Sequence, residues 1–470
     1  MHDSDALFGV LRQSADPDAA AAVEHLVRHG RDEELARLNA VSFAEARGLG
    51  EEATVAALLH ASRLGLFEMS WNILCPSCGG VLDANASLRS VRREAYHCAF
   101  CAVDSEPVLD DTVEVSFTVS PRVRRIAVHD PDGLGFWDYY RQIFFGSGIV
   151  FPEARVFDEL ARAAIVETVE LQAGERMILA LQLPAEPVIV FDPVTHAAHF
   201  LTVEGEPTRE RQELSLVFDS IRAGIGRTTL RPGPLRLSLD NRTGARVLPG
   251  VFIAGEALNG LIGRRRPFLT AKRLLSNQTF RDVYRTDTLD VDQRLKVLSL
   301  TFLFTDLKGS TALYERVGDL VAYDLVRAHF QILHEIVASE AGAVVKTIGD
   351  AVMATFPTPH RALSAALRMR EAMRGLNARG SAEDLILKIG LHEGPCLAVN
   401  LNERQDYFGQ TVNIAARVQQ LATADGIFAT EAVIRHGDAA RLLAAQRVEA
   451  SPQMCSLRGI GDRVPVFELT

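Results

Sequence analysis

The sequence predicts an α+β protein of several domains, and its 470 residues are enough for two to four of them. Residues 1–74 place apolar side chains at helical spacing, and residues from about 112 to 260 form short alternating strands. Residues 298–470 alternate strands and helices in the order β-α-β-β-α-β, with additions. This order is typical of a ferredoxin-like layer of helices on an antiparallel sheet.

The composition excludes some classes of protein. Apolar residues make up 47% of the chain and charged residues 23%, an ordinary globular balance. The net charge of −10 gives no general reason to expect binding to nucleic acid or to an anionic membrane. The start, "MHDSDALFGV", lacks a secretory signal, and no run of about 18 apolar residues occurs. We therefore expect a soluble, cytoplasmic protein with no membrane partner.

Residues 1–74 are predicted to form helices followed by one strand. Ser42 and Glu45 fit a capping box, and "FEMSWNIL" at 67–74 alternates as a strand does. This order is compatible with a winged-helix arrangement. The segment "EARGLGEEATVAAL" is acidic where a recognition helix should be basic, so a packing role is favoured over DNA binding.

Residues 75–111 are predicted to form a zinc-ribbon-like knot. Four of the six cysteines fall in two C-x2-C pairs, which in a reducing cytoplasm favours metal over disulfide. Four thiolates suffice for tetrahedral, structural Zn²⁺, with disulfides or chance as the alternatives. Cys396 and Cys455 stand alone, as small apolar residues do. The predicted zinc ligands are Cys75, Cys78, Cys98 and Cys101.

Residues 112–269 are predicted to form a β-rich, sandwich-like domain. "TVEVSFTV", "RMILALQL" and "PVIVF" read as strands, and turn clusters such as "DNRTGA" separate the strands of this region. "PEARVFDELARAA" reads as a helical insert. Residues 270–297 are polar and are predicted to be a connector to the last domain, residues 298–470.

Two aspartates in the last domain occupy predicted strand ends. Asp306 ends the apolar strand of "FLFTDLKGST", and Asp350 lies on the tip of the hairpin "KTIGDAVMATF". Two carboxylates on adjacent strand ends could hold a hard cation such as Mg²⁺. Alone, each aspartate is more often a cap or turn residue.

Three motifs occur in order, "DLKGST", "VKTIGDAVMATF" and "DYFGQTVNIAARV". Together they resemble the catalytic domain of class III nucleotide cyclases, including bacterial adenylate cyclases, over residues 298–470. The resemblance implies a ferredoxin-like cyclase domain and two Mg²⁺ or Mn²⁺ ions per active site. The implied metal ligands are Asp306, Asp350 and the backbone carbonyl of Leu307.

The resemblance also implies residues that bind the nucleotide. Lys346 and Asp406 match the pair that recognises the purine ring. Asn413 and Arg417 match the catalytic residues that orient the ribose and stabilise the reacting phosphate. Arg458 stands near the position of a cation for the triphosphate.

The purine base of the substrate can be inferred from hydrogen-bond donors and acceptors. Adenine presents an acceptor at N1 and a donor at its 6-amino group, whereas guanine presents the reverse. Lys346 supplies only donors and an ionised Asp406 only acceptors, so the pair complements adenine and favours ATP. The alternatives are a guanylate cyclase and a nucleotide-binding signalling module without turnover.

The resemblance further implies a homodimer, because the family's active site lies across a dimer interface. Residues 1–290 resemble an uncharacterised region that precedes cyclase domains in some bacterial proteins. We hypothesise that this N-terminal region senses an unknown regulatory ligand or protein and biases the dimer geometry. The sequence therefore predicts a regulated adenylate cyclase that makes 3′,5′-cyclic AMP and pyrophosphate from ATP.

Overall fold

A computed structural model describes residues 2–92, 94–220, 225–284, 289, 294–379, 385–401, 404–423, 425–461 and 463–470. The chain folds into two compact units. The first comprises Met1–Ala86, Glu94–Pro107 and Glu114–Leu269, and the second comprises Ser87–Arg93, Val108–Val113 and Thr270–Thr470.

In the described part of the first unit, four α-helices come first and three more lie further along the chain. The helices are α1 (His2–Ser14), α2 (Pro17–His29), α3 (Ala40–Arg47), α4 (Glu51–Arg63), α5 (Phe136–Tyr139), α6 (Ala154–Ala164) and α7 (Glu256–Ile262).

The capping box predicted at Ser42 and Glu45 is wrong. Helix α3 begins at Ala40, and the Asn39 side chain accepts hydrogen bonds from the backbone N–H groups of Val41 and Ser42. Asparagine is among the best N-cap residues, so the helix starts there and Ser42 lies inside its first turn.

The strands of the first unit form four sheets, ordered β2-β1-β5, β3-β4, β10-β12-β7 and β11-β9-β8-β13-β6. Their bounds are β1 (Phe67–Leu74), β2 (Val81–Asn85), β3 (Tyr96–Cys98), β4 (Val103–Ser105), β5 (Val113–Val119), β6 (Ile165–Thr168), β7 (Arg176–Leu183), β8 (Val188–Asp192), β9 (Ala197–Val203), β10 (Gln212–Phe218), β11 (Gly226–Leu230), β12 (Gly233–Asn241) and β13 (Gly250–Ile253).

The predicted β-rich domain is present, but one of its strands lies elsewhere. The sheets β10-β12-β7 and β11-β9-β8-β13-β6 share one apolar core, to which Leu237 on β12 and Val190 on β8 both contribute. Strand β5, the "TVEVSFTV" segment, pairs instead with β1 of the N-terminal part. Alternation within a strand reports burial and not the pairing partner, so the sequence did not show that β5 pairs with β1.

The second unit contains eight helices and eight strands among the described residues. The helices are α8 (Ala271–Leu275), α9 (Gln278–Val283), α10 (Ser310–Val317), α11 (Asp319–Ser339), α12 (Pro359–Arg379), α13 (Gln410–Leu421), α14 (Glu431–Ile434) and α15 (Gly437–Gln446). The strands are β14 (Leu295–Leu307), β15 (Ala343–Ile348), β16 (Ala351–Phe356), β17 (Leu387–Leu401), β18 (Arg404–Phe408), β19 (Ile427–Thr430), β20 (Ala450–Ser456) and β21 (Arg463–Leu469).

Part of the predicted connector at 270–297 is helical and belongs to the second unit. The Thr270 side chain caps α8 and the Asn277 side chain caps α9, while Leu274 and Phe280 are buried. Helices this short have too few apolar positions to show a period, which is why the sequence reads as polar. Residues 285–288 and 290–293 of the predicted connector lie outside the described residues.

The sheet of the second unit has the order β15-β16-β14-β17-β19-β21-β20, with β18 paired to β17. Helices α11 and α12 pack through Leu333 and Ala366 against Leu303 and Leu391 of the sheet, so the prediction of helices on a mainly antiparallel sheet is confirmed. Throughout the described helices, none is both long and apolar enough to cross a membrane.

Helix α13 packs on the opposite face of the sheet. Gly390 lies between Ile389 and Leu391 on β17, and side chains alternate between the faces of a strand. A Cβ atom at Gly390 would come within 2.2 Å of the Gln419 backbone N of α13. Glycine at this position therefore allows α13 to lie directly on the strand.

Candidate active site

The structure brings Asp306 and Asp350 together at one end of the sheet. Asp306 is the penultimate residue of β14, and Thr305 is in register with Val352 on β16. Gly349 and Asp350 form the tight turn between β15 and β16, and Gly349 has a φ of 64°, a conformation that favours glycine. The turn thus holds the Asp350 carboxylate beside the end of β14.

The two carboxylates form an electrostatically strained pair. Burial and the neighbouring Asp350 charge raise the pKa of Asp306, and Lys388 on β17 lowers it in part. The Lys388 Nζ lies 3.7 Å from Asp306 Oδ2. Asp350 Oδ2 is buried and accepts no hydrogen bond from the described residues. A divalent cation would relieve both effects, and carboxylate oxygens are suitable ligands for Mg²⁺ or Mn²⁺.

Two further residues lie beside this pair and were not predicted from the sequence. His329 on α11 is fully buried, and burial lowers its pKa to about 4, with Asp350 opposing the shift. The imidazole is therefore neutral at physiological pH. The other residue is Lys388, which faces Asp306 in the strand register. Of these two residues, His329 could have been noticed in the sequence, because it is a histidine among the apolar residues of a predicted helix. Leu307, the remaining predicted metal ligand, is buried at the end of β14.

Lys346 and Asp406 form an ion pair, with Lys346 Nζ 2.5 Å from Asp406 Oδ2. Asp406 on β18 is buried, and its Oδ1 accepts a hydrogen bond from the Tyr407 N–H at 2.8 Å. Lys346 on β15 keeps 42% of its side chain exposed. The lysine of the β15–β16 hairpin therefore pairs with Asp406 and not with Asp350 on the same hairpin.

Helix α9 holds the two strands that carry this ion pair. Arg281 Nη2 donates to the carbonyl oxygens of Val345, at 3.2 Å, and Gln405, at 2.9 Å. These residues immediately precede Lys346 and Asp406 in the chain. Gln278 Oε1 accepts from the Val344 N–H at 2.8 Å. These contacts could not be predicted from the sequence, because α9 lies in the segment predicted to be a connector.

The predicted phosphate and ribose residues lie on α13. Asn413 is exposed, and the half-buried Arg417 donates from Nη1 to the Gln420 Oε1 at 3.0 Å. Arg458 is exposed in the turn between β20 and β21, and the strand order puts it at the opposite edge of the sheet from Lys346. Within one chain the fold therefore does not place Arg458 beside the Lys346–Asp406 pair.

In the first unit, the four predicted zinc ligands form one cluster. The sulfur atoms of Cys75, Cys78, Cys98 and Cys101 all lie within 4.8 Å of one another, and all four thiols are free. Hydrogen bonds from the other thiols, that of Cys101 first, lower the pKa of Cys75. The cluster is compatible with tetrahedral zinc, which thiolates bind well.

Comparison with protein families identifies both units. Residues 294–456 match the adenylate and guanylate cyclase catalytic domain, so the second unit carries a class III nucleotide cyclase domain. Residues 1–282 match a family of unknown function, DUF5939, and the chain belongs to that family. The cyclase family includes enzymes for both nucleotides, so the match leaves the choice between ATP and GTP open.

Several known cyclases are similar to this chain. The adenylate cyclase of Streptomyces griseus is 32% identical over 176 residues, which cover 36% of this chain and 40% of that protein. That of Anabaena cylindrica is 25% identical over 185 residues, covering 36% of each. The chain thus spans less than half the length of these curated relatives.

Solved cyclase structures are also similar to part of this chain. The adenylyl cyclase CyaB from P. aeruginosa is 20% identical, with 38% of this chain and 96% of that one covered and a TM-score of 0.34. The guanylate cyclase domain of RhGC from Catenaria anguillulae, in complex with GTP, is 20% identical, with coverages of 37% and 97% and a TM-score of 0.33.

Proposed function

We propose that the chain is a cytoplasmic adenylate cyclase that converts ATP to 3′,5′-cyclic AMP and pyrophosphate at sites formed across a homodimer. One observation carries the proposal. A nucleotide cyclase domain holds the carboxylates of Asp306 and Asp350 side by side, with one buried Asp350 oxygen unpartnered by the described residues.

Asp306, Asp350 and the Leu307 carbonyl would hold two Mg²⁺ or Mn²⁺ ions. When bound, such ions lower the pKa of an attacking hydroxyl and neutralise charge on phosphate oxygens. The neutral His329 leaves the negative charge of Asp350 undiminished, because burial keeps the imidazole from taking a proton. Lys388 would hold Asp306 in position at the end of the strand.

The Lys346–Asp406 ion pair supports ATP as the substrate. Lys346 would donate to adenine N1, and Asp406 would accept from the 6-amino group. Asp406 is already fixed by its own hydrogen bond from the Tyr407 N–H. A base of the opposite pattern would set a donor against Lys346 and an acceptor against the Asp406 carboxylate, and such mispairing costs about 10⁴-fold in selectivity at sites built on these bonds.

Asn413 and Arg417 would act on the sugar and the reacting phosphate. Asn413 would orient the ribose so that its 3′-oxygen is in line with the α-phosphorus, which removes part of the entropic barrier. Arg417 is bonded to the exposed Gln420, so its guanidinium can turn toward an anion and stabilise the charge of the transition state. Arg458 would bind the triphosphate.

A homodimer is supported by apolar side chains beside the Lys346–Asp406 pair. Phe408 on β18 is 67% exposed, Leu401 on β17 is 49% exposed, and Ile348 on β15 is 53% exposed. Exposed apolar residues gathered on the strands that carry a binding site are typical of an interface. A second copy of the chain would cover them and provide two equivalent sites.

Purified protein assayed with ATP or GTP, and with Mg²⁺ or Mn²⁺, tests the activity. We expect cyclic AMP from ATP, little product from GTP, and none from an Asp306→Ala variant. Cyclic GTP as the main product would make the protein a guanylate cyclase. Nucleotide binding without either product would support the binding module instead.

Mixing two inactive variants tests the shared site. Chains carrying Asp306→Ala lack a metal ligand, and chains carrying Arg417→Ala lack the phosphate residue. If each site combines both chains, half of the dimers are mixed and each has one intact site, so about a quarter of the activity returns. If each site lies within one chain, the mixture stays inactive.

We further propose that Cys75, Cys78, Cys98 and Cys101 hold one structural zinc ion. A Cys98→Ser variant should lose about one zinc ion per chain and unfold at a lower temperature, because metal binding stabilises the folded state. Cys455→Ser, outside the cluster, is the matched control and should keep its zinc. Equal zinc content in the two variants would exclude the site.

Regulation by the first unit is the last part of the proposal. A chain beginning at Thr270 retains α8, α9 and the whole cyclase sheet with its core, and it lacks the segments Ser87–Arg93 and Val108–Val113 of the second unit. We expect its rate of cyclic AMP formation to differ from that of the full chain. Equal rates under every condition tested would contradict regulation by the N-terminal region.

A further inference from the structure

The first unit contains a small cavity of about 220 Å³, here called the Arg37 cavity. Its walls come from four separate parts of the chain: the segment before α3, strand β2, the segment around α5, and the β8–β9 turn. The polar side chains on its wall include Arg37 and Tyr139. The apolar wall is formed by Val81, Leu82, Ile143, Phe144, Pro193 and Val194.

Two residues of the cavity have unusual backbone conformations. Arg37 has a φ of 44° and His196 a φ of 53°, both in the left-handed region that disfavours residues with a side chain. These are two of six such residues in the described part of the chain, and both line one cavity. Such conformations concentrate at ligand sites, where the surrounding structure imposes them.

Arg37 is a cation without a direct anionic partner. Its Nη1 donates to the Phe145 carbonyl at 3.2 Å, and it forms no ion pair with the described residues. Burial lowers its pKa, and the charge of Glu114 opposes this shift. The Glu114 carboxylate already accepts hydrogen bonds from Asn72 and from Ser147. Because only the Nη1 group of the Arg37 side chain donates to a described residue, most of its five N–H donors remain available.

Tyr139 adds a second donor beside Arg37. Burial, followed by the charge of Asp192, raises the pKa of Tyr139 to about 12, so the phenol stays protonated at neutral pH. No described residue accepts a hydrogen bond from its hydroxyl group. Arg37 is among the charges that act on Tyr139, so the two polar groups lie near each other. Asp83, also on the wall, has its own interaction within the chain.

We propose that the Arg37 cavity binds a small organic carboxylate. The Arg37 guanidinium and the Tyr139 hydroxyl would bind the carboxylate, since a planar fork of donors matches its two oxygens. The apolar wall would cover the body of the ligand. The volume equals about seven water molecules at roughly 30 Å³ each, which suits a ligand the size of benzoate. This proposal does not depend on the cyclase activity.

Benzoate is the probe, and benzamide is its uncharged isostere. Saturation-transfer NMR on the full-length protein measures the binding of each. We expect benzoate to bind and benzamide not to bind. Binding of benzoate should weaken by about tenfold in Tyr139→Phe, which removes one hydrogen bond to a charged group, and vanish in Arg37→Met.

Tyr140→Phe is the matched control, because Tyr140 is the next residue in the chain and does not line the cavity. It should bind benzoate as the parent does. If Arg37→Met fails to fold, the comparison of Tyr139→Phe with Tyr140→Phe still decides. The proposal is overturned if benzoate does not bind, if benzamide binds equally well, or if Tyr139→Phe and Tyr140→Phe bind benzoate alike.

Discussion

The cyclase unit contains two pairs of charged side chains that differ in sign. Asp306 and Asp350 carry like charges, and the charge of Asp350 helps to raise the pKa of Asp306, after the effect of burial. Lys346 and Asp406 carry opposite charges and form a contact of 2.5 Å. Both pairs depend on the same β15–β16 hairpin, which carries Lys346 on one strand and Asp350 on its turn.

The difference in sign corresponds to a difference in role. A like-charged pair is unfavourable alone and gains stability when a cation binds, so it suits a metal site. An opposite-charged pair is satisfied alone, and it holds its donor and acceptor at fixed positions before a base arrives. A single hairpin thus links the proposed metal site to the proposed base-recognition pair. Substitutions in the two pairs and in the residues around them test this contrast.

Asp350→Asn should reduce the rate of cyclic AMP formation most strongly. Loss of one charged ligand removes several kcal/mol of stabilisation at the reacting phosphate, which corresponds to about 10³-fold or more in kcat. Initial rates at saturating ATP and Mg²⁺ measure it. Asp324→Asn, on the exposed face of α11, is the control and should be unaffected. A variant that retained a tenth of the parent's rate would show that Asp350 is not a metal ligand.

Exchanging the hydrogen-bond donor and acceptor roles of Lys346 and Asp406 should change the preferred base. In the double variant Lys346→Glu, Asp406→Asn, an acceptor faces N1–H and a donor faces O6, as guanine requires. We expect the ratio of kcat/KM for ATP over GTP to fall by about 10²-fold. Lys346→Arg keeps donors only and should retain the preference for ATP. An unchanged ratio in the double variant would exclude this pair from base recognition.

Arg281→Met should weaken ATP binding without affecting the metal site. The guanidinium bonds to the carbonyls beside Lys346 and Asp406, so its loss should let the two strands separate slightly. We expect KM for ATP to rise by about tenfold, since misplacing binding groups by a fraction of an ångström is costly. The Mg²⁺ concentration for half-maximal activity should not change.

Arg435→Met is the matched control for Arg281, because Arg435 makes only an exposed ion pair with Glu431. It should leave KM unaltered. If Arg281→Met changed the Mg²⁺ requirement as well as KM, the two charged pairs would not be separable, and the contrast between them would fail.

Asp306→Asn should stabilise the metal-free protein slightly at neutral pH. The pKa of Asp306 is raised in the folded state, so its ionised form opposes folding. This destabilisation by the ionised carboxylate is absent below the pKa of the unfolded state, about 3.9, and is fully developed above the pKa of the folded state. The parent should therefore lose stability relative to the variant as the pH rises through this window.

Denaturant midpoints at about pH 4 and pH 7.5 measure the effect, in buffers without divalent ions. Added Mg²⁺ should stabilise the parent and not the variant, because binding to the folded state raises its stability. A variant less stable than the parent at neutral pH without metal would mean that the Asp306 charge is compensated by its neighbours.

Several features could be predicted from short stretches of sequence. The motifs around Asp306, Asp350 and Asn413 lie on single elements or tight turns, so their resemblance to the cyclase family is visible in short stretches of sequence, and the family match over residues 294–456 agrees with it. The strand at 67–74 and the four-cysteine cluster followed in the same way. Local pattern failed at α3, where Asn39 outcompetes Ser42 as the cap, and at β5, whose partner lies in another part of the chain.

The order of elements in the second unit could be predicted from periodicity, and the cyclase class with its charged site residues from the resemblance of three short motifs to that family. The folded structure was needed to show that Lys346 pairs with Asp406, that Arg281 joins their strands, and that Arg37 and Tyr139 share a cavity. The ion pair joins residues that are 60 positions apart in the chain, and the two Arg281 hydrogen bonds join residues 64 and 124 positions apart. Arg37 and Tyr139 are about 100 positions apart. The formation of these contacts depends on how whole sheets and helices pack, and no local pattern encodes that packing.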